Sequence, residues 1–234
     1  MAEIPLPYPH SVAQAQPRAG EVDFLWRTYS WMSMGLGLTG AVAWFVANTP
    51  SLLQTVTGNP VVFYGAMIAE FVLVMVFATR AGSMSFATAA SVFIAYAALN
   101  GVTMAMIFLV YTAASVARVF FVSAAAFGGL ALYGATTKRD LTALGQFLFI
   151  GLIGVVIGSL VNLFLQNSAL YWLTTYAGVL VFAGLTAYDN QKLRRLYALQ
   201  GDTGNLALQG ALTLYLDFVN LFLMLLRVFG RRRE

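Results

Sequence analysis

Apolar residues in this chain come in long unbroken runs, at 29–47, 61–79, 85–110, 114–133, 141–165, 170–188 and 206–226. Each run is near the 20 residues or so that a helix needs to cross about 30 Å of hydrocarbon. Only a helix satisfies its own backbone over such a length in lipid. None of the runs alternates with the period of two that a membrane β-barrel requires. The pattern predicts an all-α integral membrane protein with seven transmembrane helices. It divides the chain into a flexible cytosolic tail at 1–28, a membrane domain at 29–230 and a short basic tail at 231–234.

Composition sharpens this picture. Hydrophobic residues make up 60% of the 234 and charged residues 9%, against about 45–50% and about 25% in a soluble domain. The seven runs hold only Glu70, Arg118 and Asp217 of all the charges, a segregation that hydrocarbon imposes. There is no cysteine, so disulfides, thiolate nucleophiles, iron–sulfur clusters and thiolate zinc sites are excluded. The one histidine, His10, lies in the proline-bearing tail, which argues against haem ligation and a His-based triad. The tail has no basic start before an apolar core and does not read as a secretory signal. The basic residues belong to connections and form no nucleic-acid face.

Lysines and arginines set the expected orientation. Arg18, Arg27, Arg80, Lys138, Arg139, Lys192, Arg194 and Arg195 fall on the amino-terminal side of the spans, and only Arg118 lies across the first six. The amino terminus is expected in the cytoplasm. Arg227, Arg231, Arg232 and Arg233 then lie outside if the seventh segment crosses, or inside if it re-enters; the sequence leaves both open. Trp31, Trp44 and Trp172 stand near span ends, as interfacial rings do. Gly154 and Gly158, with Gly151 a turn earlier, permit close helix packing.

Charged and polar groups inside a membrane are the candidate chemistry. Asp217 is embedded in Leu214-Tyr215-Leu216-Asp217-Phe218-Val219-Asn220, and Asp189 ends the sixth run in Tyr188-Asp189-Asn190. Consecutive helices can bring these carboxyls together, and two carboxyls in hydrogen-bonding reach hold one proton between them and titrate as a unit. Without that proton they are hard oxygen ligands for calcium, though two residues are far short of the six to eight oxygens it takes. Arg80, after the second run, is placed to latch onto an aspartate or to snorkel. Glu70 near the middle of the second run is a candidate for a polar path with Asn100, Asn162 or Asn220, or a packing residue. Lys138 and Lys192 fall in connections, which leaves no intramembrane lysine for a Schiff base.

Four strings carry a resemblance to a known family: Ala95-Tyr96-Ala97-Ala98-Leu99-Asn100-Gly101, Tyr133-Gly134-Ala135-Thr136-Thr137-Lys138-Arg139-Asp140-Leu141, Val181-Phe182-Ala183-Gly184-Leu185-Thr186-Ala187-Tyr188-Asp189, and Leu216-Asp217-Phe218-Val219-Asn220-Leu221-Phe222. In these the chain resembles bacterial members of the Bax inhibitor-1, or transmembrane Bax-inhibitor-motif, family. The resemblance implies seven helices with the last one central, and a pH-sensitive calcium leak in the inner membrane, without catalysis or a cofactor. It implies Asp189 and Asp217 as the proton-sharing sensor and Arg80 as the latch. It also implies a membrane-bound ATP-dependent protease as a partner, beside the lipid bilayer and calcium or protons.

Two other functions fit parts of the pattern. A non-catalytic regulator of such a protease would act through its helices and tail. A Tyr-Asp on one helix and an Asp on the next also describes presenilin-like intramembrane aspartyl proteases, where two carboxyls activate water. Those carry Gly-x-Gly before the second aspartate, and here Leu214, Tyr215 and Leu216 stand there instead.

Overall fold

The computed structural model describes residues 19–203 and 205–233. Seven helices are long and apolar enough to span a membrane: α1 (Ala19–Ala47), α3 (Pro60–Arg80), α4 (Phe86–Met104), α6 (Ala113–Thr136), α7 (Thr142–Leu165), α8 (Ser168–Gln200) and α9 (Leu206–Phe229). Two short helices, α2 (Pro50–Gly58) and α5 (Ile107–Val110), lie in the connections, α5 extending the third span. Among the described residues no strand forms beyond one isolated bridge.

Helix ends follow from residues that serve as caps. Pro50 and Pro60 occupy first-turn positions, where a missing N–H costs nothing. Side-chain oxygens of Ser85, Thr112 and Asn167 accept from backbone N–H groups at the starts of α4, α6 and α8, at 3.2, 3.3 and 3.0 Å. Gly201, at φ 68°, ends α8 in the left-handed region that a residue without Cβ adopts at no steric cost.

The last helix is the most buried. In its most apolar stretch 61% of residues are buried, against 6–39% in the other six spans. Its close neighbours are α1, α8, α6 and, over a shorter length, α4; α3 stacks on α4 and α7 on α8 as outer layers. Helices in lipid gain little from hydrophobic transfer, so close packing decides their association. On α7 the close approach to α8 runs through Gly151 and Gly158, where a Cβ would come within 3.0 Å of Val181 and 2.8 Å of Thr174. Gly154 faces open space, so the contacting stripe is 151/158 and not the 154/158 spacing.

Two expectations are corrected, and one open alternative is narrowed. The amino-terminal tail gives way to helix at Ala19, ten residues before the first apolar run, because Phe24 and Thr28 are already buried against the bundle; residues 1–18 lie outside the described residues. Helix α9 runs unbroken for 24 residues, from Leu206 to Phe229, without the reversal that re-entry needs. Asn205 at its start donates to the Ala81 and Met84 carbonyls at 2.7 and 2.9 Å, and at its far end Thr112 N–H donates to Arg231 O at 3.1 Å and Arg233 N–H to Val110 O at 2.9 Å. The 231–233 segment is therefore clasped to the α5–α6 connection. Lys192 lies on a helix, because α8 continues eleven residues past Asp189.

Candidate functional site

Asp189 and Asp217 owe their meeting to the register of one hairpin. Asp189 stands eleven residues before the end of α8, and Asp217 eleven residues after the start of α9. At 1.5 Å per residue both are roughly 16 Å from the turn. Judged by apolar runs alone, one aspartate sits at the membrane edge and the other deep inside; the extension of α8 to Gln200 removes that mismatch.

The two carboxyls lie within hydrogen-bonding reach of each other. A bond between them requires a proton on one, since an ionised carboxylate only accepts. Asp189 is 8% exposed and Asp217 5%, and Oδ2 of Asp217 is buried without a hydrogen-bond partner. Both line a cavity of about 690 Å³ between α7, α8 and α9, into which Lys192, Thr213 and Asn220 also face. Lys192 is the cation acting on both carboxyls, and its ammonium stands 5.8 Å over the Tyr188 ring.

Neighbours of Asp189 hold α8 in place. Asn190 accepts from the Tyr29 hydroxyl of α1 and donates to Thr186 O at 2.6 Å. Gln191 accepts from Leu141 N–H at 2.9 Å and donates to Arg139 O at 2.8 Å, fastening the α6–α7 turn. Gly134 of α6 packs directly on the Ala187 backbone, so three elements converge within a turn of Asp189. Sequence reasoning passed over Tyr29, Asn190 and Gln191 and placed Lys192 in a connection. The signal for the last three is a full turn of polar side chains, Asp-Asn-Gln-Lys at 189–192, following an aliphatic helix; Tyr29 has no such signal.

The structure does not bring Arg80 to this pair. It is exposed at the end of α3, beside Met75, Val76, Thr79 and Met84. The predicted polar path divides in two. Glu70 and Asn100 join on one side of α9: Asn100 Nδ2 donates to Glu70 Oε2 at 3.1 Å and Thr103 Oγ1 to Oε1 at 2.7 Å. Asn162 and Asn220 line a second cavity on the other side, of about 580 Å³, between α7, α8 and α9. Asn220 and Phe182 border both this cavity and the one holding the aspartates. Asn162 also accepts from Asn167 N–H at 2.9 Å, closing the α7–α8 turn. Among the described residues no three His, Cys, Asp or Glu side chains cluster as a metal site. The pair alone supplies too few oxygens to hold calcium as a resident ion.

Fold and site define a seven-helix membrane protein with a buried carboxyl pair on its last two helices. The chain belongs to the family described as "Inhibitor of apoptosis-promoting Bax1", which it matches over residues 21–234. It is 48% identical over 231 residues to the inner membrane protein YbhL of Escherichia coli K12, covering 97% of this chain and 99% of that one. A protein of Deinococcus radiodurans is 43% identical over 215 residues, 90% of this chain and 91% of its own. One of Rickettsia prowazekii is 39% identical over 218 residues, 90% of each chain.

Proposed function

We propose that this protein is a pH-sensitive leak for calcium and other cations in a bacterial inner membrane, with its amino terminus in the cytoplasm. The observation that carries the reading is the contact between Asp189 and Asp217, two ionisable side chains on adjacent helices inside the bundle. With one shared proton the carboxyls attract and hold α8 to α9. Without it, two negative charges repel in a poorly solvated site, and the hairpin is driven apart. The cavity bordering the pair widens at that place, and its oxygens face a passing cation. A proton biases the gate only through this difference in affinity between the two states.

Orientation rests on the larger number of lysines and arginines at the amino-terminal end of the bundle. The inner-membrane assignment rests on the similarity to YbhL. No catalytic step is assigned: Leu214, Tyr215 and Leu216 stand where presenilin-like proteases carry Gly-x-Gly, and of the three Leu216 lines the cavity beside Asp217.

Calcium flux into liposomes carrying the purified protein, from about pH 6 to pH 8, tests the reading. Wild type is expected to show a pH-dependent leak, and Asp189→Asn and Asp217→Asn each to flatten it while the protein stays folded. A folded protein with no flux at any pH overturns the leak and turns attention to capture of a protease partner.

A further inference from the structure

The second cavity between α7, α8 and α9 lies at the opposite end of the bundle from the turn that joins α8 to α9, and its chemistry is mixed. Val156, Leu160 and Leu163 of α7 form an aliphatic wall and are all exposed, so the groove opens sideways toward lipid. At its end stand Arg227 of α9, Tyr171 of α8, and Asn162 and Gln166 at the α7–α8 turn. Trp172 and Tyr176 stack beside Tyr171 with ring centroids 5.6 Å apart, the kind of aromatic cluster that sits at headgroup level.

Arg227 is the unusual member. Its guanidinium lies 5.6 Å over the Tyr171 ring, which fixes it at the mouth of the groove. Among the described residues it has neither a carboxylate nor a hydrogen-bond acceptor as partner. The same end of the bundle carries Arg118, Arg231, Arg232 and Arg233, and no Asp or Glu occurs in the connections 48–59, 105–112, 166–167 or 230–233. A half-buried guanidinium without a carboxylate partner among the described residues, above an open aliphatic slot, calls for a planar array of anionic oxygens attached to a hydrocarbon chain.

We propose that this groove binds one anionic phospholipid, its phosphate on Arg227 and one acyl chain along Val156, Leu160 and Leu163. The lipid seals the lateral opening, and Asn162 and Gln166 supply the neutral hydrogen-bond donors a headgroup needs. The site is independent of whether the protein conducts ions.

Native mass spectrometry of the full chain in detergent tests this, with phosphatidylglycerol, phosphatidylcholine and inorganic phosphate as probes. Wild type is expected to retain one phosphatidylglycerol, and Arg227→Gln to weaken that binding about tenfold or more. Val156→Trp fills the slot without changing charge and is expected to weaken it comparably, while Arg118→Gln leaves it within about twofold. Thermal unfolding shows whether each variant is folded, and the two independent variants keep the test valid if one is not. Retention of phosphatidylglycerol unchanged in both groove variants overturns the proposal. So does an equal loss in Arg118→Gln, which signifies diffuse charge attraction, and so does displacement by millimolar inorganic phosphate, which assigns the groove to a free anion.

Discussion

Tyr215 on α9 and Asn100 on α4 are joined by a 2.9 Å hydrogen bond, the phenol donating to the amide oxygen. The same phenol oxygen lies 2.7 Å from Thr39 Oγ1 of α1, and Asn100 donates onward to Glu70 of α3. Four helices are thus threaded by one chain of donors that ends on a carboxyl, and Tyr215 is its fully buried centre.

Tyr215→Phe deletes that centre. Asn100 Oδ1 then loses its donor in a buried place. Unsatisfied polar groups cost about 1–3 kcal/mol in water-soluble proteins, while hydrogen bonds between membrane helices average about 0.6 kcal/mol. With both of the phenol's hydrogen bonds gone, a destabilisation of about 1 kcal/mol is expected in thermal or denaturant unfolding of the purified protein. Unchanged stability would show that the network is slack.

Lys192 and Arg80 are distinguished by a pair of substitutions. Lys192 faces the carboxyls and Arg80 does not. Removing a nearby positive charge favours the protonated pair. Lys192→Gln is expected to move the midpoint of the pH response in liposome flux toward higher pH, and Arg80→Gln to leave it in place. The reverse result would make Arg80 the latch, in an arrangement different from this one.

Gly134 and Gly178 both sit where α8 is approached closely, yet their substitutions differ in kind. A Cβ on Gly134 runs into the Ala187 backbone, whereas one on Gly178 meets the flexible Met224 side chain, 2.9 Å from its sulfur. Overpacking costs about 1–3 kcal/mol where neighbours cannot move. Gly134→Ala is expected to fall in that range and Gly178→Ala below it, as read from unfolding midpoints.

Asp140, in the α6–α7 connection, is held down to about 2, first by the Thr142 hydroxyl and backbone N–H and then by Arg195. A carboxyl lowered in the folded state adds stability above its unfolded value of 3.8 and loses it as pH falls through about 2. Acid unfolding curves of wild type and Asp140→Asn are therefore expected to converge between about pH 4 and pH 2, and to differ modestly above that, since the group is fully exposed. Parallel curves down to pH 2 would contradict the assignment.

Much of this architecture is legible in the chain because lipid imposes a strong and local rule: seven apolar stretches of adequate length become seven helices. The eleven-residue extension of α8 is illegible by the same rule. Gln191, Lys192, Arg194 and Arg195 read as a connection, while the backbone continues helical because Gln191 and Asn190 find partners on neighbouring elements. The short helix α2 escapes notice for a related reason, being too short to cross and too polar to form a run. Asp189 and Asp217 stand out as charges beside hydrocarbon. Their contact does not, since it depends on the turn at Gly201 and the equal arms of the hairpin. Thr39, Thr103 and Tyr215 are common residues in membrane helices, and only their convergence on Asn100 and Glu70 distinguishes them.

The two ends of the bundle are fastened by different kinds of bond. The ion pairs among the described residues, Arg27 with Asp202, Arg194 with Glu21 and Arg195 with Asp140, all gather at the end where α8 turns into α9. The other end is closed by backbone hydrogen bonds from Thr112 and Arg233. Dissolved ions screen the first kind of fastening and leave the second nearly untouched, with a screening length of about 8 Å at physiological strength. Brine thus weakens the charged fastenings of one rim only, while Asn205 keeps the α8–α9 turn tied to the Ala81 and Met84 carbonyls through uncharged bonds.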